Sequence, residues 1–303
     1  LGVLDSKVLE NGIPDDAYAV LSGDDKEVAS ALKKQNKADL KSWKAIAAGD
    51  LFTKTGLASQ ANAVEHLADD SLAGIEAKRA AWAQAEDEAR HSTLARLADT
   101  YVAAFLAPKL RQHAARIPLS GYLWGLINGE QSKPEVDNAA SDICRAHGVF
   151  HWWLAFPQVA ARGGFSVMLG NPPWEVSQLS EEEFFAARAP SVAVLSGDKR
   201  KKAIAALEAG QPWLWDEYQT AKRGYEAANL FCRASERYPL SAFGKLNTYA
   251  LFAETFLQAI SPSGVAGFIV QSDIALADSC KAYFDYVASN NILRSLHDFM
   301  NLE

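Results

Sequence analysis

The stretch Gly164-Phe165-Ser166-Val167-Met168-Leu169-Gly170-Asn171-Pro172-Pro173-Trp174 decides how the chain is read. Its apolar run, residues 165–169, lies between glycines and is too short for a helix, so it predicts a buried strand. Two consecutive prolines donate no backbone hydrogen bonds. The ladder must stop there, and the chain leaves the sheet as a stiff turn. Asn171 and Trp174 are therefore expected at the carboxyl end of a strand, where open α/β sheets bind their ligands. A side-chain amide, a proline carbonyl and an aromatic plane converging on one spot suit a flat ring that carries an amino group.

Downstream of residue 138 the pattern alternates. Helices are expected over residues 139–161, interrupted at Pro157, and over 213–238. Ser180 followed three residues later by Glu183 makes a capping box for a short helix to Arg188. Residues 247–260 read as an amphipathic helix with Leu251, Phe252, Thr255, Phe256 and Ala259 on its apolar side. Pro262-Ser263-Gly264 reads as a turn into a second strand, 265–270. A helix over 279–288 leads to a third strand, 292–299. Such alternation predicts parallel strands joined by right-handed crossovers, an α/β class in which the chain carries part of a doubly wound Rossmann-like sheet.

The front of the chain has another character. Residues 1–23 look irregular, and Asp24 or Asp25 is placed to cap a helix running towards Ala48 with Val28, Leu32 and Leu40 inward. Residues 59–106 are rich in Ala, Glu, Lys and Arg, with Ile75, Trp82, Leu94, Leu97, Tyr101 and Phe105 at helical spacing. They predict one long helix or a helical hairpin, broken near Pro108. Residues 121–137 read as a loop. The expected organisation is a mainly helical insertion or brace, 1–137, followed by an α/β part, 138–303.

The 303 residues are 49% hydrophobic and 22% charged, the balance of a globular protein with ample core. No apolar run approaches the ~20 residues that span a bilayer, so no membrane partner is expected. Cys144, Cys232 and Cys280 are few and widely spaced. They fit a reducing cytoplasm and form neither a zinc cluster nor a disulfide framework. A net charge of −7 sits awkwardly with a polyanionic partner. Residues 188–250 nevertheless hold ten Lys or Arg against six Asp or Glu, including Lys199-Arg200-Lys201-Lys202. The bland alternative for that run is a solvated helix face. Equally, His151 reads as a satisfied core histidine, and Glu181 to Glu183 as a solvated helix start rather than paired catalytic carboxylates. No nuclease pattern of the Asp-Glu-x-Lys type stands out.

Asn171-Pro172-Pro173-Trp174 after a hydrophobic strand resembles the catalytic motif of the adenine-N6 DNA methyltransferases, which take their methyl group from S-adenosylmethionine. Phe150 to Val159, Trp174-Glu175, Glu181 to Ala186, Arg237-Tyr238-Pro239-Leu240 and Asn247 to Glu254 look like parts of the large methylases of type IIG restriction–modification and BREX-like phage-defence systems. The resemblance covers the second half of the chain well and the first half loosely. It implies that Asn171 and the Pro172 carbonyl accept the adenine amine's hydrogens, that Pro173 fixes the turn, and that Trp174 stacks on a base flipped from double-stranded DNA. It also places Asn171 beside the cofactor and makes Asn247 and Tyr249 candidates for the substrate pocket. Restriction or defence-system subunits or domains are the implied protein partners, and no metal is implied. Two positions depart from the family: Ser166 stands where it usually has Asp, and Lys245 where it favours Asp after Gly244.

An S-adenosylmethionine site needs a glycine-rich turn after a strand. Gly12, Gly23, Gly49, Gly56 and Gly74 are isolated, and none follows a convincing strand. The expectation is that the chain is a piece whose main cofactor-binding half precedes Leu1, and that it is inactive alone. Leu302-Glu303 reads equally as native sequence or as a vector joint. Methylation of RNA or of protein glutamine, and a non-catalytic helical interaction segment on a degenerate methylase fold, remain as alternatives.

Overall fold

The structure is a computed structural model, which describes residues 2, 7–42 and 55–299. Its longer elements are α1 (Lys26–Ser42), α2 (Leu57–Glu65), α3 (Leu72–Arg90), α4 (Thr93–Leu106), α5 (Ser120–Ile127) and α6 (Pro134–Ala146). There follow β1 (Phe165–Gly170), α7 (Glu181–Ala186), α8 (Gly197–Gly210), α9 (Pro212–Ala234), α10 (Thr248–Ala259), β2 (Ile260–Phe268) and α11 (Lys281–Ser289). The chain is mostly helical, with a small two-stranded parallel sheet.

The main core forms around α4. Eleven of its fourteen residues are buried, with only Thr93, Arg96 and Asp99 reaching towards solvent, so it must be packed on most of its circumference. Leu9, Ile13 and Tyr18 from the front of the chain, Phe231 of α9, Trp153 and Leu246 all join its cluster. Phe105 meets Phe231 edge to face at 5.3 Å. Residues on both sides of position 138 thus share one core. Polar groups within it are paired locally: buried Asn36 donates to the Ile13 carbonyl at 2.8 Å and accepts from the Ser120 amide at 2.9 Å. Arg223 donates to the carbonyls of Leu106 and Ala107, both at 2.7 Å, closing the end of α4, and its Nε reaches Asp24 at 3.2 Å.

β1 and β2 pair in parallel, with Val167 opposite Val265 and Gly170 opposite Phe268, and α10 runs directly into β2. One face rests on α10, where Met168, Phe256 and Ala259 are buried together. Gly164 enters the sheet at φ +124°, and a Cβ there would lie 2.6 Å from the Ala259 carbonyl oxygen, so a side chain is excluded on both counts. The other face is uncovered: Val167 is 60% exposed, Leu169 78% and Ile269 65%.

Several expectations need correction. Residues 59–106 form three helices, because Ser71 and Ser92 each cap a new one, accepting from the amides of Gly74 and Ala95. Ile75 faces solvent, whereas Leu94, Leu97, Tyr101 and Phe105 are buried as expected. Residues 121–137 are largely helical. Burial of Leu123, Trp124 and Leu126 outweighs two glycines in α5, and Pro134 starts α6 at a position that needs no amide donor. The helix expected over 139–161 ends at Ala146 and is followed by two single turns, Trp152–Ala155 and Pro157–Ala161. The helix expected over 213–238 begins on Pro212 and stops at Ala234, just before Glu236 turns to φ +60°.

The second strand starts earlier than expected. Pro262-Ser263-Gly264 lies inside β2, where the register slips between Phe165 and Val167, an irregularity that accommodates a residue without an amide. Residues 292–299 form no strand. They join no ladder, and Ile292, Leu293, Leu296 and Phe299 stay exposed. The sheet among the described residues stops at two strands, and this segment pairs with neither edge. The caps of α1 and α7 are as read: Asp25 accepts from the amides of Glu27 and Val28, and Ser180 from that of Glu183. The expected extension of α1 beyond Ser42 lies outside the described residues, as do the expectations for Leu1 and for Leu302-Glu303.

Candidate functional site

The site is built where β1 ends. The Gly170 carbonyl accepts from the Ile269 amide at 3.2 Å, the last tie between the strands. Asn171 then leaves the sheet exposed, Pro172 is buried, and Pro173 and Trp174 return to the surface. Trp174 is 46% exposed, and its indole nitrogen donates to the Ile269 carbonyl at 3.2 Å. The aromatic plane is therefore pinned at the carboxyl end of the sheet with much of its surface open.

Beyond Trp174 the chain lies against the start of α10. Val176 bridges Asn247 in antiparallel fashion, the Ser177 amide donates to the Leu246 carbonyl at 2.9 Å, and the Thr248 amide to the Glu175 carbonyl at 2.9 Å. The Thr248 hydroxyl accepts from the Glu175 amide at 3.0 Å and lies 2.7 Å from the Pro173 carbonyl and 3.0 Å from that of Glu175. Asn229 of α9 donates to the Ser177 carbonyl at 2.7 Å. The fold thus brings Asn247 and its neighbours to the turn that follows Asn171, although they are far apart in sequence. Thr248 and Ile269 were not legible as site residues; Thr248 bonds to backbone atoms of a distant segment and Ile269 contributes only its own backbone carbonyl, and neither leaves a signature in the sequence.

Tyr249 is placed differently. It is wholly buried among Ala253, Ile274, Cys280 and Tyr283, and its hydroxyl meets Asn247 Nδ2 at 3.5 Å and Cys280 Sγ at 3.9 Å. Burial, then Cys280 beside it, pushes its pKa upward. In this arrangement it packs under the site, while half-buried Asn247 sits at the helix start.

Other candidates have structural explanations. His151 Nε2 pairs with Asp99 Oδ1 at 3.1 Å, and its side chain is 9% exposed. Arg200 folds back onto the Ala193 carbonyl at 2.7 Å, so only Lys199, Lys201 and Lys202 of the basic run face solvent. All three cysteines are free and buried. Burial pushes the Cys232 thiol up to about 11 and the Cys144 thiol higher, so neither offers a thiolate at neutral pH. No group of three His, Cys, Asp or Glu among the described residues is arranged to hold a metal ion. No described helix is long and apolar enough to cross a membrane.

A cavity of about 700 Å³ is present, lined in part by Trp152, Phe156, Phe165, Arg237 and Gln258. It opens at the amino ends of the strands, the opposite end from Asn171. The candidate site itself is an open shelf.

No protein-family model, no curated protein and no solved structure matches this chain.

Proposed function

We propose that this chain is part of a DNA methyltransferase that transfers a methyl group from S-adenosylmethionine to the N6 amine of adenine, within a restriction–modification or phage-defence system. In this reading β1 and β2 belong to a doubly wound Rossmann-like sheet, and the partner is double-stranded DNA with the target adenine flipped out. One observation carries it. The turn after β1 presents an exposed Asn171 and the open plane of Trp174, with buried Pro172 between them, whose carbonyl receives no donor among the described residues.

These residues fit the amine. The adenine nitrogen is a weak nucleophile because its lone pair is shared with the ring. Asn171 Oδ1 and the Pro172 carbonyl accept its two hydrogens, favour a pyramidal nitrogen and stabilise the positive charge that develops there. Trp174 offsets the unstacking of the base, at about 1–3 kcal/mol. S-adenosylmethionine, when bound, supplies the electron-poor methyl carbon. The described residues do not by themselves make its site: β1 runs into Asn-Pro-Pro and β2 into Ile269-Val270-Gln271, with no glycine-rich turn after either.

The test uses the intact protein, a labelled methyl donor and duplex DNA. The wild type is expected to form N6-methyladenine, and Asn171→Ala to bind DNA equally while raising the barrier by roughly 2–4 kcal/mol. A wild type that labels no adenine, or an Asn171→Ala variant at full rate, overturns the proposal.

A further inference from the structure

The turn after Asn171 carries several backbone carbonyls, and a flipped amine needs one particular carbonyl beside Asn171. We infer that Thr248 is the positioning residue that makes this choice, a role that rests on the methyltransferase reading above. Its hydroxyl has one hydrogen and two carbonyls within reach, Pro173 at 2.7 Å and Glu175 at 3.0 Å. The Glu175 carbonyl already receives the Thr248 amide at 2.9 Å. The shorter distance gives the hydroxyl hydrogen to Pro173, while the oxygen accepts from the Glu175 amide at 3.0 Å.

One side chain thus closes the turn on both sides of Trp174. It occupies the Pro173 carbonyl and holds the Glu175 amide, so of the two proline carbonyls after Asn171 only that of Pro172 has no donor among the described residues. The bridge between Val176 and Asn247 fixes the same two segments one step further along. Because α10 also carries Phe256, which packs on Met168 and Gly170 of β1, the helix that supplies Thr248 is seated on the strand that supplies Asn171. A hydroxyl at position 248 therefore sets the Asn171–Pro172 pair relative to the sheet without touching the substrate.

Two variants separate this role from plain packing. Thr248→Val keeps the shape and removes the hydroxyl, and Thr248→Ser keeps the hydroxyl. In the intact enzyme on duplex DNA, Thr248→Val is expected to lower kcat by on the order of 100-fold, the scale of a small misplacement of reacting groups. The DNA Kd and the melting temperature should stay near wild type, and Thr248→Ser should recover most of kcat. A Thr248→Val enzyme with wild-type kcat, or a Thr248→Ser enzyme as impaired as Thr248→Val, overturns the role. A second readout does not depend on activity. In the 303-residue chain, hydrogen exchange at the Glu175 amide should quicken in Thr248→Val and stay slow in Thr248→Ser; unchanged exchange in Thr248→Val also overturns it. An Asn171→Ala control run alongside distinguishes the failures: if that variant keeps full rate, the methyltransferase reading itself has failed, whatever Thr248 does.

Discussion

Trp174 commits its indole nitrogen to the Ile269 carbonyl and keeps nearly half its surface open, so one residue serves both the turn and the shelf. The two uses are separable. Trp174→Phe retains a stacking plane and should cost about 1 kcal/mol of stability through the lost hydrogen bond, measured by urea unfolding. In the intact enzyme Trp174→Ala should weaken capture of the flipped base, and less so when the target adenine is mismatched and easier to extrude. A second residue-scale expectation concerns Lys109, whose ammonium is buried against the Phe105 carbonyl. Burial, then Arg223 nearby, lowers its pKa to about 7, with Asp24 opposing. An unfolded lysine keeps its proton to about pH 10.4, so between roughly pH 7 and 10 the unfolded chain binds more protons and stability rises with pH. Lys109→Met should flatten that rise, with its largest stabilising effect at and below pH 7. Urea midpoints at pH 7 and 9.5 for both proteins test this; parallel pH profiles would refute it. Asn171 to Trp174 could be placed from sequence because proline acts on its own backbone. Lys109 and Thr248 could not, because their partners are set by packing.

Among the elements, the breaks within residues 59–106 show how a short polar side chain overrides composition. Ala, Glu and Lys favour continuing the helix, yet Ser71 and Ser92 offer the next amides an acceptor and restart it in a new direction. Ser92 holds the start of α4, around which the main core is built. Ser92→Ala is therefore expected to lower stability by about 1 kcal/mol, whereas a change at exposed Gln84 of α3 should be nearly neutral; thermal melts of the two variants compare them. Ser180 and Asp25 were readable as caps because each introduces a segment with an evident apolar face. α5 was masked by its glycines, since the burial of Leu123 and Trp124 that stabilises it is not local information. The segment 292–299 makes the opposite point: Ile292, Leu293, Leu296 and Phe299 are apolar but do not alternate with a period of two, so a strand pattern was never fully written there.

At the scale of the molecule, one core draws on both halves of the sequence, while the sheet stays small and bare on one side. Parallel sheets are ordinarily covered on both faces, so the row Val167, Leu169, Val265 and Ile269 is apolar surface that a sheet of this kind would usually bury. The pairing of Phe165 with Ile260 also has a kinetic meaning, since α7, α8, α9 and α10 all lie between the two strands. Helices form from neighbouring residues, but this ladder must wait for a long loop to close, and loop closure slows a rate more than it weakens an equilibrium. Refolding after dilution from denaturant should therefore be biphasic, helical circular dichroism recovering ahead of the shift in Trp174 fluorescence, read in a variant that keeps this tryptophan alone. Coincident single phases would show that strand pairing and helix packing cross one barrier together. If they do separate, the shelf bearing Asn171 is the last part of the chain to mature, and an unfolding event that spares α4 would erase it first.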